Sequence, residues 1–294
     1  MRISVFIKRH PVPVYFALTF IISWGGILLV IGGPGRILCT SEQFDKLLPF
    51  VILAILAGPS VSGILLTALA YGRTGLREVK SRLFMWRVGI RWYAVALLAA
   101  PLLMMAIYSI LSLLSPEFFP GILAAENKLS HLLMGLVTGL MAGLFEELGW
   151  TGFATPRLRQ RYRILGTGLI VGLPWAVWHI LPAIWLGFAS STVSGALSTV
   201  SYLMDPFLFL VAFRVLIVWV YDRTGGSLLL AMLMHMSLTS SARIFTPMGI
   251  VGVPLMLFGI IWAAVMWGAV AVVIAANRGQ RSREPLEKGM LSKE

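Results

Sequence analysis

The chain has 294 residues, of which 58% are hydrophobic and 12% charged, against about 25% charged in an ordinary soluble domain. A water-soluble fold of this length needs more polar surface than that, so a soluble enzyme, a disordered chain and a secreted disulfide scaffold are all excluded. The net charge of +12 would suit nucleic acid, but in a membrane protein the placement of the charge matters more than its sum.

In chain order, eight apolar segments are predicted as helices: about 12–33, 48–71, 92–114, 131–150, 164–188, 206–221, 226–243 and 252–276. The runs are continuous rather than alternating in polarity, which points to transmembrane helices and not to a β-barrel. The expected architecture is all-α, a polytopic membrane protein of about eight transmembrane helices around a buried polar site. Residues 1–276 form one helical domain, and a basic tail, 277–294, follows it. The first segment has a basic flank and no small-x-small cleavage site, so it reads as an uncleaved span. Cys39 follows Arg36-Ile37-Leu38 and lacks the small residue expected before a lipoprotein cysteine; it reads as an unpaired loop thiol. As the sole cysteine it also excludes an internal disulfide and a cysteine-rich zinc site. The sixth and seventh segments are short for full spans.

The cations alternate between the two sides of this string. With the N-terminus inside, 19 of the 24 lysines and arginines fall in inside segments, while Arg36, Lys46 and Lys128 fall in outside loops. The asymmetry predicts a multi-pass protein of the cell membrane with both termini in the cytoplasm. It accounts for the basicity through contact with an anionic leaflet, without nucleic acid. The Ser/Thr-rich stretch 189–202 is then an outside loop.

Charged side chains at the bilayer centre cost at least about 2.5–3.5 kcal/mol on insertion scales, so those that occur need a reason. Ten of the twelve acidic residues lie in loops, tails or span ends; Glu146 and Glu147 lie within the fourth segment. His179 lies in the fifth and His235 in the seventh. At about 1.5 Å per helical residue, Glu146, His235 and His179 lie roughly 16, 18 and 24 Å from the nearest inside cations. They can therefore meet near mid-membrane on three helices. Ala142, Gly143 and Gly149 neighbour Glu146 along its helix and allow close approach of a helix or a substrate backbone. Pro174 can kink the fifth segment before His179, and Trp175 and Trp178 read as packing residues.

Three segments resemble one family. Glu146-Glu147-Leu148-Gly149-Trp150-Thr151 resembles two glutamates followed, after three residues, by arginine. Trp175-Ala176-Val177-Trp178-His179 resembles an aromatic followed after three residues by histidine. His235-Met236-Ser237-Leu238-Thr239 resembles histidine followed after three residues by asparagine. Together, over about residues 130–245, they resemble the CAAX-protease and bacteriocin-processing family of intramembrane endopeptidases. Thr151 stands where the family usually has arginine, and Thr239 where it usually has asparagine.

The resemblance implies an intramembrane endopeptidase in which Glu146 and His179 activate a water, while His235 and Thr239 stabilise the oxyanion. Glu147 completes the site. A zinc reading, with Glu146, His179 and His235 as ligands, stays open beside a metal-independent one, and no obligatory metal is the preferred form. The family also implies a second reading, a non-catalytic membrane scaffold or chaperone. A proton-coupled transporter is a third reading of buried acids and histidines, disfavoured by the lack of inverted repeats. The expected partners are the bilayer and a membrane peptide or protein substrate, with peptide maturation or self-immunity favoured over a prenylated tail. Arg214 is the one cation inside a span, and it is expected to supply to Glu147, from a neighbouring helix, the charge that Thr151 does not.

In a Cys39→Ser background, Ser194→Cys should react with an impermeant thiol reagent in intact cells; labelling only after lysis would reverse the placement of that loop.

Overall fold

A computed structural model describes residues 2–37, 40–188, 200, 203–204 and 206–277. Cys39, most of the Ser/Thr-rich stretch 189–202 and the tail after Asn277 lie outside the described residues.

The described elements are all helical. They are α1 (Arg2–Arg9), α2 (Pro11–Ile31), α3 (Ser41–Leu83), α4 (Ile90–Ser112), α5 (Gly121–Ala124), α6 (Lys128–Gly149), α7 (Thr155–Arg159), α8 (Ile164–Trp178), α9 (Ile180–Phe188), α10 (Val211–Arg223), α11 (Leu228–Phe245) and α12 (Gly252–Asn277). Among the described residues, seven helical stretches are long and apolar enough to cross a membrane. The chain is a polytopic all-α membrane protein with polar residues buried in its interior.

Local chemistry sets several of the boundaries. Thr40 caps α3 in a reciprocal pair with Gln43, and Asn127 accepts the Ser130 N–H at the start of α6. Ser227 accepts the Leu230 N–H at the start of α11 and donates to the Met85 carbonyl at 2.8 Å. Gly72 has φ +60°, a conformation that favours glycine, and divides α3 into 41–71 and a charged stretch 73–83. The fourth predicted segment runs further than expected. After α6 a π-helical turn, Trp150–Ala154, carries the helix on into α7, with the glutamates just before the turn.

The sixth segment is the exception among the eight. It comprises a π turn, Pro206–Leu210, and α10, and it carries Arg214 in its middle and Asp222-Arg223 at its end. It is not among the seven long apolar helices. Val211 through Val218 are all buried, so α10 is an inner helix enclosed by others, consistent with a helix that is apolar on every face.

Glycines let the inner helices approach each other. Gly135, Gly139 and Gly143 recur every four residues along the face of α6 that meets α11, the most extensive helix pair in the fold. A Cβ at Gly139 would collide with the Met236 carbonyl, and one at Gly143 with the Met232 carbonyl. Gly168 and Gly172 do the same for α8 against α10, where a Cβ at Gly172 would lie 3.1 Å from the Val211 Cα and 3.3 Å from the Arg214 Cβ. Small residues spaced by four are the usual means of bringing membrane helices into backbone contact. Gly143 and Gly149 thus serve helix packing: a Cβ at Gly149 would strike the Pro59 carbonyl of α3.

Proline removes the N–H that would bond the carbonyl four residues earlier, and hydrocarbon offers no water to replace it. The fold supplies side-chain donors instead. Ser23 donates to the Ile55 carbonyl freed by Pro59, at 2.6 Å. Ser237 donates to the Leu97 carbonyl freed by Pro101, at 2.9 Å. Trp24 Nε1 donates to the Trp178 carbonyl freed by Pro182, at 3.0 Å. Each bond links two helices. The fifth segment runs unbroken past Pro174 and is interrupted at His179, between α8 and α9.

Charged segments gather at one end of the bundle. Lys8 of α1 lies 5.8 Å from the Tyr71 ring centroid, and Arg157 of α7 lies 4.6 Å from it. Arg159 pairs with Asp222 of α10 at 2.6 Å.

Gly139→Leu should separate α6 from α11. Overpacking typically costs about 1–3 kcal/mol, and here the obstacle is backbone, so the loss of thermal stability in detergent should reach the upper end. Gly268→Ala, where a Cβ meets nothing within 4 Å, should leave the melting temperature unchanged or raised.

Candidate active site

The two glutamates of α6 sit where α8, α10 and α11 converge. Adjacent helical residues point about 100° apart, and the two carboxylates have different surroundings.

Glu147 is fully buried and held by four donors. The Arg214 guanidinium of α10 meets it as a fork, Nη1 to Oε2 at 2.8 Å and Nη2 to Oε1 at 2.9 Å. The Thr151 hydroxyl, one turn further along the same helix, donates a short hydrogen bond to Oε2. His235 Nδ1–H of α11 donates to Oε1 at 2.7 Å. Arg214 is itself fully buried and lies face-on to the Trp175 ring, 4.1 Å from its centroid. The expected pairing of Arg214 with Glu147 is present in the structure. Thr151 joins it, with Arg214 Nη1 at 3.4 Å from the hydroxyl.

Glu146 is 5% exposed and less tightly held. Its Oε2 accepts from Trp175 Nε1 at 2.7 Å, and its Oε1 faces His235 Nε2 at 4.0 Å. His235 therefore stands between the glutamates, bonded to Glu147 through one nitrogen and turned to Glu146 with the other.

His179 occupies the interruption between α8 and α9. Its Nδ1–H donates to the Trp175 carbonyl at 2.8 Å, which leaves Nε2 as the acceptor of a neutral ring. Its ring packs edge-on to Trp175 at 5.6 Å and to Trp178 at 4.9 Å. Trp175 also packs edge-on to His235 at 5.2 Å. His179 thus reaches the glutamates through Trp175 and not by a direct bond. Thr239, one turn beyond His235, is half-buried, and no hydrogen bond among the described residues ties it to the carboxylates.

Of the five residues singled out from sequence, Glu146, Glu147 and His235 form one contact network, His179 adjoins it through Trp175, and Thr239 lies one turn beyond His235 on α11. Trp175 is the residue that sequence reasoning undervalued. The sequence suggests packing alone, yet Trp175 donates to Glu146, covers Arg214 and contacts both histidines. Its signal was available in the spacing, because it lies four residues before His179 on the same face.

The zinc reading fits this geometry poorly. One oxygen of Glu146 is given to Trp175, and among the described residues no group of three His, Cys, Asp or Glu side chains is arranged to hold a metal ion.

A family model described as type II CAAX prenyl endopeptidase, Rce1-like, matches residues 128–241. The chain is similar to the CAAX prenyl endopeptidases. The matched segment holds Glu146, Glu147, His179, Arg214, His235 and Thr239, so the resemblance read from the three motifs stands. A curated relative, "CAAX prenyl protease 2" of Methanococcus maripaludis, is 24% identical over 239 residues, covering 78% of this chain and 82% of the relative. The likeness to these proteases supports intramembrane endopeptidase activity in general.

Trp175→Phe keeps an aromatic ring at the site but removes the indole N–H together with part of the ring system. A hydrogen bond to a charged group is worth about 1.5–3 kcal/mol, so any hydrolytic rate that depends on Glu146 should fall about tenfold to a hundredfold. The smaller ring leaves space in a buried site and should also lower the melting temperature, so the rate is read on the folded fraction; an unchanged rate there would remove this hydrogen bond from the mechanism.

Proposed function

We propose that this protein hydrolyses peptide bonds in membrane-held substrates without an obligatory metal, with Glu146 as general base and then general acid. The observation that carries the reading is the unequal treatment of adjacent carboxylates: Glu147 is saturated by four donors, whereas Glu146 keeps an oxygen directed toward His235 Nε2. A saturated carboxylate is a structural charge, and one with an available oxygen in a buried site can take and return a proton.

In this mechanism Glu146 removes a proton from a water positioned with the help of His179 Nε2. The hydroxide adds to the scissile carbonyl carbon. The resulting oxyanion accepts hydrogen bonds from His235 and from the Thr239 hydroxyl. As a doubly protonated ring, His235 gives Nδ1–H to Glu147 and has Nε2–H for the oxyanion. The tetrahedral intermediate then collapses, the C–N bond breaks, and Glu146 returns its proton to the leaving amine. Thr239 is shorter than the amide usual at that place, so its part requires the substrate oxygen to come close to α11.

A membrane-held peptide or protein is the substrate class that the likeness to CAAX proteases favours. The basic end of the bundle, with α1 and α7, is assigned to the cytoplasm on the distribution of cations.

The test is Glu146→Gln, assayed on a library of labelled membrane peptides with purified protein, with and without chelator. Removing a general base costs about 10²–10⁴-fold in rate, and the variant should be as abundant and as stable as the parent. Full cellular function in the glutamine variant would replace the protease with a scaffold, and loss of cleavage on chelation would restore the metal.

A further inference from the structure

We infer that Arg214 is the positioning residue of this site: from α10 it occupies the place that a side chain at position 151 would otherwise fill, and by clamping Glu147 it sets the direction in which His235 presents Nε2.

The geometry is that of a fixed plane. A guanidinium fork contacting both oxygens determines the plane of the Glu147 carboxylate. Once that plane is set, the Oε1 that accepts His235 Nδ1–H can lie in one place only, and the imidazole is oriented by it. The opposite nitrogen then faces Glu146. Trp175 holds the guanidinium from the other side, and Gly172 allows α8 close enough to Arg214 for that contact.

The guanidinium also lies in the territory of residue 151. Thr151 is four residues after Glu147, the spacing of an intrahelical ion pair. Its hydroxyl contacts both Glu147 and Arg214 Nη1. Two positions on two helices therefore address one carboxylate, and there is room for one arginine. Thr151 is the short side chain that leaves the space to Arg214.

This assignment rests on the proteolytic reading only for the meaning of the His235 orientation; the exchange of positions stands by itself. The experiment is a swap in the full chain. Arg214→Met should greatly reduce the yield of folded protein, and Thr151→Arg alone should lower the melting temperature by placing two cations at one carboxylate. The double variant, Thr151→Arg with Arg214→Met, should be more stable than either single variant.

Arg214→Lys keeps the charge, loses the fork and should fold. It should shift the ¹⁵N resonances of His235, assigned with His235→Gln, and reduce kcat with KM unchanged. The swap should move both readings back toward the parent. A swap no more stable than either single variant, or an Arg214→Lys protein with the parent's His235 resonances, overturns the inference. If the parent cleaves no peptide, the proteolytic reading falls by itself, and the stability and resonance readings still decide the role of Arg214.

Discussion

The structure depends on one buried ion pair. Taking a carboxylate and a guanidinium out of water costs several kcal/mol per ion even after relaxation, and their attraction repays this only with good geometry and with the remaining donors and acceptors satisfied. Glu147 meets those terms through a two-point fork, a threonine and a histidine, and Arg214 meets them in part, through the fork and the Trp175 face, with its buried Nε left without a partner. Each partner comes from a defined place: Glu147 and Thr151 from α6 and the turn after it, Trp175 from α8, Arg214 from α10, His235 from α11. The pair can exist only if these helices are in close contact. The glycines of α6 and α8 make that contact possible, because they remove the side chains that would hold the backbones apart.

The same arrangement gives two adjacent carboxylates different surroundings. Glu147 spends its acceptor capacity on orienting its surroundings, and Glu146 retains some of its own. Because neighbouring residues on a helix point about 100° apart, one helix can serve both purposes without the two carboxylates competing for the same partners. His235 couples them, since the bond that fixes its ring is made to Glu147 and the free nitrogen faces Glu146.

Prolines and hydroxyls cooperate in the rest of the fold. Pro59, Pro101 and Pro182 each free a carbonyl, and each of the three carbonyls is met by a donor from another helix. In hydrocarbon an unmet carbonyl is costly, so every proline in a span becomes a demand for a particular neighbour. These bonds tie α2 to α3, α4 to α11 and α2 to the end of α8. The last holds the carbonyl beside His179, where the fifth segment breaks.

Composition and charge alone determined the membrane-spanning helical character, the eight apolar segments, the gathering of cations at one end and the identity of the glutamates and histidines, because these properties are local and follow from residue type and period. Arg214 was also legible, since a lone cation within a span must find an anion and Glu147 lacked one nearby along its own helix. Only the tertiary structure decided that the sixth segment is buried from Val211 through Val218, that the fifth is interrupted at His179, that Trp175 is a donor to Glu146, and that Thr239 has no hydrogen bond to the carboxylates among the described residues. Those facts belong to contacts between residues far apart in sequence, as Trp175 and Glu146 are at 29 positions, or to the course of one helix against another, and no period along a single chain encodes them. The two threonines show the division most plainly: both are visible as departures from a pattern, but only packing gave Thr151 a place beside Arg214 and gave Thr239, among the described residues, no hydrogen bond to the carboxylates.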